Sequence, residues 1–166
     1  MTKGFIHEPG WSSNEDFEWY TPKYIFDGLH TQFDLDPCSP GSDKCFTPAN
    51  MHYTLPKNDG LTDPWFGLVF CNPPYGRHIG KWMDKCADHN NSIALTFART
   101  STKWFQSIAP TLSGICFIDK RLKFISGKTG LQGDSAGADS MLLSWGNKAL
   151  DILSQSNLGF MVKLND

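Results

Sequence analysis

The chain has 166 residues, enough for one domain with a substantial core. An apolar fraction of 40% and a charged fraction of 19% exclude a disordered chain, and a net charge of -2 excludes a generally basic nucleic-acid coat. Charge is unevenly spread, however: Glu8, Glu15, Asp16 and Glu18 gather near the start, and Lys120, Arg121, Lys123 and Lys128 form a later basic group.

Residues 1–18 are polar and broken by "EPG", and read as a flexible arm ahead of a single domain over 19–166. "TPKYIFDGL" (21–29) predicts a short helix with Thr21 as N-cap and Pro22 at the first helical position. "TQFDLDP" (31–37) reads as a strand stopped by proline. Residues 38–66 hold four prolines and leave room only for short elements near "MHYTL" (51–55). "FGLVFC" (66–71) is a buried strand, and after it Ile79, Trp82, Met83 and Cys86 recur at helical spacing. "SIALTF" (92–97), "GICFID" (114–119), "SMLLSW" (140–145) and "LGFMVKL" (158–164) read as strands, and "STKWFQSIAP" (101–110) as a short helix. "LKFI" (122–125) is a short extended segment leading into the glycine-rich loop "SGKTGLQGDSAGA" (126–138). The last two strands, joined by a polar connection, are expected to form an antiparallel edge. Strand and helix alternate from 66 to 119, which predicts an α/β domain with a mixed, mainly parallel sheet.

Five cysteines without close pairs are a poor disulfide framework, and zinc at Cys38 and Cys45 would need further ligands, so no metal is expected. No signal-like segment or membrane-length apolar run is present, which predicts a cytoplasmic protein with no membrane partner. The glycine-rich loop lacks the Gly-Lys-Ser/Thr of a P-loop.

In an open parallel sheet, ligands gather beyond the carboxyl ends of strands. Two strand ends carry unusual signals: "FDLDPC", with Asp34, Asp36 and Pro37, and "VFCNPPYG", with Asn72, Pro73, Pro74 and Tyr75. Each proline fixes its own φ and disfavours helical backbone in the preceding residue. The Asn72 amide and the Pro73 carbonyl can thus face one ligand group, offering uncharged acceptors to a planar amine. Accepting both amine hydrogens frees the nitrogen lone pair for attack, and Tyr75 can stack on the ring that bears it. The same residues also suit a turn that merely leaves the strand, and Asp34 or Asp36 equally suits a backbone cap.

"EWYTP", "FDLDPC", "DGLTDPWFGLVFCNPPYG", "ARTSTKWF" and "CFIDKRLKF" together resemble the phage-type DNA N6-adenine methyltransferase family, related to Dam-like enzymes, over about residues 18–146. The resemblance implies a class I, Rossmann-like methyltransferase fold and S-adenosylmethionine as methyl donor. It implies catalysis by Asn72, Pro73, Pro74 and Tyr75 on an adenine flipped out of double-stranded DNA. It places Thr21, Pro22, Asp34, Asp36, Pro37 and Asp59 with the cofactor. Arg99, Lys120, Arg121, Lys123 and Lys128 would contact DNA, with Arg121 and Phe124 matching an R-x-x-F feature. Only 34 residues separate Pro37 from Asn72, too few for two full crossovers, so the first half of the domain is abbreviated. NPPY also suits cytosine N4, RNA or protein glutamine, and a silent DNA-binding shell is a further alternative. A chain without a recognition module would act as a monomer or a homodimer.

Overall fold

The computed structural model describes residues 19–164. Among these residues, nine strands and four α-helices follow one another as β1 (Trp19–Tyr20), α1 (Lys23–Leu29), β2 (Phe33–Asp36), β3 (Ala49–His52), β4 (Val69–Cys71), α2 (Ile79–His89), β5 (Ser92–Phe97), α3 (Lys103–Ile108), β6 (Gly114–Ile118), β7 (Ile125–Ser126), β8 (Ser140–Trp145), α4 (Asn147–Ser154) and β9 (Gly159–Lys163). Seven strands make one sheet in the order β3-β2-β4-β5-β8-β6-β9, and β1 pairs separately with β7. The pairings from β3 to β5 are parallel and those from β5 to β9 antiparallel, so β2, β3, β4, β5 and β6 all point the same way. This is the mixed Rossmann-like sheet expected, with its first half abbreviated: no helix lies between β2 and β3 or between β3 and β4.

The apolar runs lie at the centre. Every residue of β4 and β8 is buried, as an interior strand covered on both faces requires. On one face Ile25, Phe26 and Leu29 of α1 and Ala149 and Leu153 of α4 pack over Phe70, Ile93, Leu95 and Leu142. On the other, Trp82, Met83 and Cys86 of α2 join Phe105 and Ile108 of α3 over Ala94, Met141 and Leu143.

Three local readings are corrected. Pro22 is itself the N-cap of α1, in extended backbone (φ -66°, ψ 145°), and Thr21 makes no cap. The polar connection 146–158 contains α4, whose few apolar positions are too short a run to show a period. Gly146 (φ 87°) turns the chain into it at a point where a Cβ would lie 2.3 Å from the Asn90 carbonyl oxygen. With that crossover, β8 and β9 do not pair: β6 lies between them, antiparallel to both. The arm assigned to residues 1–18 lies outside the described residues. Among the described residues no helix is long and apolar enough to cross a membrane.

Candidate active site

The sheet reverses its winding between β2 and β4: β3 lies beyond β2 on one side, and β5 beyond β4 on the other. The carboxyl ends of β2 and β4 therefore flank the topological switch point, the place where such sheets hold ligands. Asn72 is the first residue past β4. Its Nδ2 donates to the Trp19 carbonyl of β1 at 3.3 Å. A carbonyl only accepts, so this contact fixes which way the amide faces. Among the described residues, Asn72 Oδ1 is buried with no hydrogen-bond partner, an acceptor whose desolvation none of them offsets.

Tyr75 lies on the neighbouring strand end. Its hydroxyl donates to the Leu95 carbonyl at 3.3 Å, and its ring stacks on Phe97 at 4.4 Å with 27° between planes. Phe124 meets both rings edge-on, at 6.4 Å and 6.3 Å. Burial pushes the Tyr75 phenol far above its ordinary range, so it stays a neutral donor. Arg99, exposed beyond the end of β5, places its guanidinium 5.8 Å from the Phe97 ring.

At the end of β2, Asp36 is 4% exposed. Burial raises its pKa from 3.8 to about 6, against the pull of the Thr47 side chain, the Cys38 N–H and His52. The Cys38 N–H donates to Oδ1 at 3.1 Å, and His52 Nδ1 stands 3.9 Å from Oδ2. Cys45 completes a group whose ligand-type atoms all lie within 4.8 Å, and His52 Nδ1 is held by the Ser39 hydroxyl at 2.7 Å. Thr21 is buried, two residues after the Trp19 that holds Asn72. Asp59 closes a turn by accepting from the Leu61 N–H at 2.9 Å, and its neighbour Gly60 lies against the Pro37 carbonyl. Thr21, Pro22, Asp36, Pro37 and Asp59 thus belong to the segments at this end.

Asp34 does not. The N–H groups of Asp34 and Leu35 both reach the Leu68 carbonyl, at 2.8 Å and 3.3 Å, forming a bulge. Asp34 Oδ2 in turn accepts from the Leu68 N–H at 2.7 Å, where the chain comes into β4. Its carboxylate is used at the opposite end of the strands. Lys120, Arg121, Lys123 and Lys128 are all exposed. Arg121 pairs with Asp139 at 3.2 Å, and the buried Leu122 and Phe124 alternate with the basic residues.

Two contributors carry no sequence signal or only a weak one. The Trp19 carbonyl is a backbone group 53 positions from Asn72. Phe97 is marked only as an aromatic residue at a strand exit. The segments 36–38 and 71–75 offer oxygen and sulfur atoms and no basic side chain, a donor set that suits a positively charged methyl donor. No curated protein and no solved structure matches the chain. The family model described as DNA N-6-adenine-methyltransferase (Dam) matches residues 11–163. The chain therefore belongs to the Dam family, enzymes that use S-adenosylmethionine to methylate adenine N6 at specific sites in DNA.

Proposed function

We propose that Asn72 Oδ1 and the Pro73 carbonyl accept the two N6 hydrogens of an adenine swung out of the duplex, with Tyr75 against its ring. The buried, unpartnered Oδ1 is the observation that carries this reading. A primary aromatic amine supplies the donor it lacks. Extrusion is needed because N6 is out of reach inside a stacked duplex.

S-adenosylmethionine, when bound, supplies a methyl group activated by the sulfonium charge. Thr21, Pro22, Asp36, Pro37 and Asp59 would hold it, and the Asp36 carboxylate, ionised above about pH 6, favours a cation there. The two acceptors keep the amine lone pair out of conjugation and aim it. The Trp19 carbonyl keeps the amide from turning its NH₂ toward the substrate. Rigid dipoles lower the barrier here because they need not reorganise as charge develops. No charged base is required: the nitrogen becomes strongly acidic once methylated, and its surplus proton leaves then. Exposed Lys120, Lys123 and Lys128 would contact phosphates and fix position, not sequence.

The test is Asn72→Ala, followed by mass spectrometry of N6-methyladenine and calorimetry with the donor. Transfer should fall by about 10²–10³-fold, the loss typical of one preorganised polar contact. Donor affinity should stay within about twofold, because the group removed faces the base. A variant as active as the parent chain would remove Asn72 from the chemistry.

A further inference from the structure

The glycine-rich stretch is an ordered hairpin. Ser126 N–H donates to the Leu131 carbonyl at 2.9 Å, Gly133 N–H to Phe124 at 2.8 Å and Ala136 N–H to Leu122 at 2.8 Å. Ile125 faces Gln132 in an antiparallel bridge. Residues 122–126 and 131–136 are thus two arms, with 127–130 as the tip.

The root of this hairpin is tied to the catalytic end. Leu122 and Phe124 are buried, and the Phe124 ring meets Tyr75 edge-on. The first arm pairs with β1, whose Trp19 carbonyl holds Asn72. The Trp19 ring lies against Gly133, where a Cβ would come within 2.7 Å of it. The outer end is different in kind. Leu131 is 69% exposed, and Lys123, Lys128, Thr129 and Gly130 around it are exposed as well.

A single exposed leucine is ordinary on a protein surface. This one stands at the end of a hydrogen-bonded arm, among cations, two residues beyond Gly133. That spacing places it about 7 Å farther out than Phe124. We propose that Leu131 is the wedge that enters the base stack of duplex DNA and fills the gap left by the extruded adenine, while Lys123 and Lys128 meet the flanking phosphates. Apolar side chains inserted between base steps unstack them, and a filled gap opposes return of the base. One arm then carries both the edge of the base pocket, through Phe124, and the element that keeps the base in it. The inference rests on base extrusion as proposed above.

The experiment compares the parent chain with Leu131→Ala and Leu131→Met on a duplex carrying the enzyme's mapped target. One version holds 2-aminopurine at the target position, and another an adenine facing an abasic site. Leu131→Ala should lower kcat/KM on the intact duplex by about tenfold or more and weaken the fluorescence rise, since extrusion of a paired base is the step it assists. The pre-opened target should restore most of that loss, and Leu131→Met should retain most of the duplex activity. Equal duplex rates and equal fluorescence for Leu131→Ala would overturn the wedge alone. A loss of the same size on the pre-opened target would also overturn it, by assigning Leu131 to binding instead. A parent chain that methylates the duplex with no fluorescence rise would overturn extrusion itself.

Discussion

The two halves of the sheet meet at β4 and are built differently. From β4 to β6 the chain crosses through α2 and α3, and those helices cover Ala94, Met141 and Leu143 with apolar side chains. From β2 to β4 it crosses through turns, and side chains bonded to backbone stand where helices would be. Tyr53 donates to the Pro64 carbonyl at 2.7 Å, Trp65 Nε1 to Gly60 at 2.8 Å, and Lys85 Nζ to Leu61 and Asp63 at 3.1 Å and 2.6 Å. Buried area is forgiving, because many small contacts share the load. Individually addressed polar contacts are not: each contributes about 1 kcal/mol, but a partner stranded without one costs about 1–3. The end of the site proposed to hold the cofactor is built on the less forgiving half.

The largest expected effect contrasts two glycines. A Cβ on Gly60 would sit 1.9 Å from the Pro37 carbonyl oxygen and 2.8 Å from the Trp82 ring. Gly60→Ala should therefore destabilise the chain by about 3 kcal/mol or more, because the turn must move off the strand end it covers. Gly80 in α2 meets nothing closer than 3.4 Å, and Gly80→Ala should stabilise by up to about 1 kcal/mol through reduced chain entropy. Denaturant melts of both variants check the pair, and equal shifts would erase the contrast between the halves.

The same contrast decides what could be read in advance. "SIALTF" and "SMLLSW" match β5 and β8 residue for residue, since a short, near-continuous apolar run marks a strand buried on both faces. The place of Asn72 just past a buried strand was legible because an apolar run ends there at two prolines, which cannot continue the ladder. β3 was legible only in part: the short element expected near 51–55 lies at 49–52, since "ANMH" is a half-exposed edge with no alternation to see. Asp34 and Asp36 looked like equivalent strand-end carboxylates. The bulge and the Leu68 N–H separate their roles, and both depend on a strand more than thirty residues away.

Asp36 gives an intermediate effect with a defined pH window. Its folded pKa of about 6 lies above the ordinary 3.8, so the folded chain holds this proton more tightly than the unfolded one. Below about pH 4 both states are protonated and the group contributes no penalty. Between about pH 4 and 6 the folded state loses stability as pH rises, and above that the penalty is constant. Relative to the parent chain, Asp36→Asn should therefore gain about 3 kcal/mol across this window and no more beyond it. The helix-linked half offers the control. Ser144, buried and donating to the Gly114 carbonyl at 3.2 Å, is uncharged, so the cost of Ser144→Ala should not vary from pH 4 to 7. Thermal melts at four pH values read both, and an Asp36→Asn difference that is flat with pH would contradict the assignment.

The smallest effects come from two cations, one in each setting. Lys85 spans from α2 to the 61–63 turn, and partial burial lowers its pKa despite Asp59 and Asp63 nearby. Lys85→Met keeps the stem but strands two carbonyls that water can partly reach, so it should cost about 1 kcal/mol of stability. It should also weaken binding of the methyl donor, because Gly60 and Asp59 sit on the turn that Lys85 secures. Arg121 pairs with Asp139 at the surface, with both side chains more than half exposed. Arg121→Ala should change stability by less than about 0.5 kcal/mol, the usual worth of an exposed pair. Its effect should appear instead in DNA binding, as a drop of about 1 in the slope of log affinity against log salt, if the arginine leaves Asp139 for a phosphate. Titrations at several salt concentrations alongside melts separate the two cations. An unchanged salt slope would mean that Arg121 keeps its carboxylate when DNA is bound, leaving the exposed lysines of the hairpin to carry the phosphates.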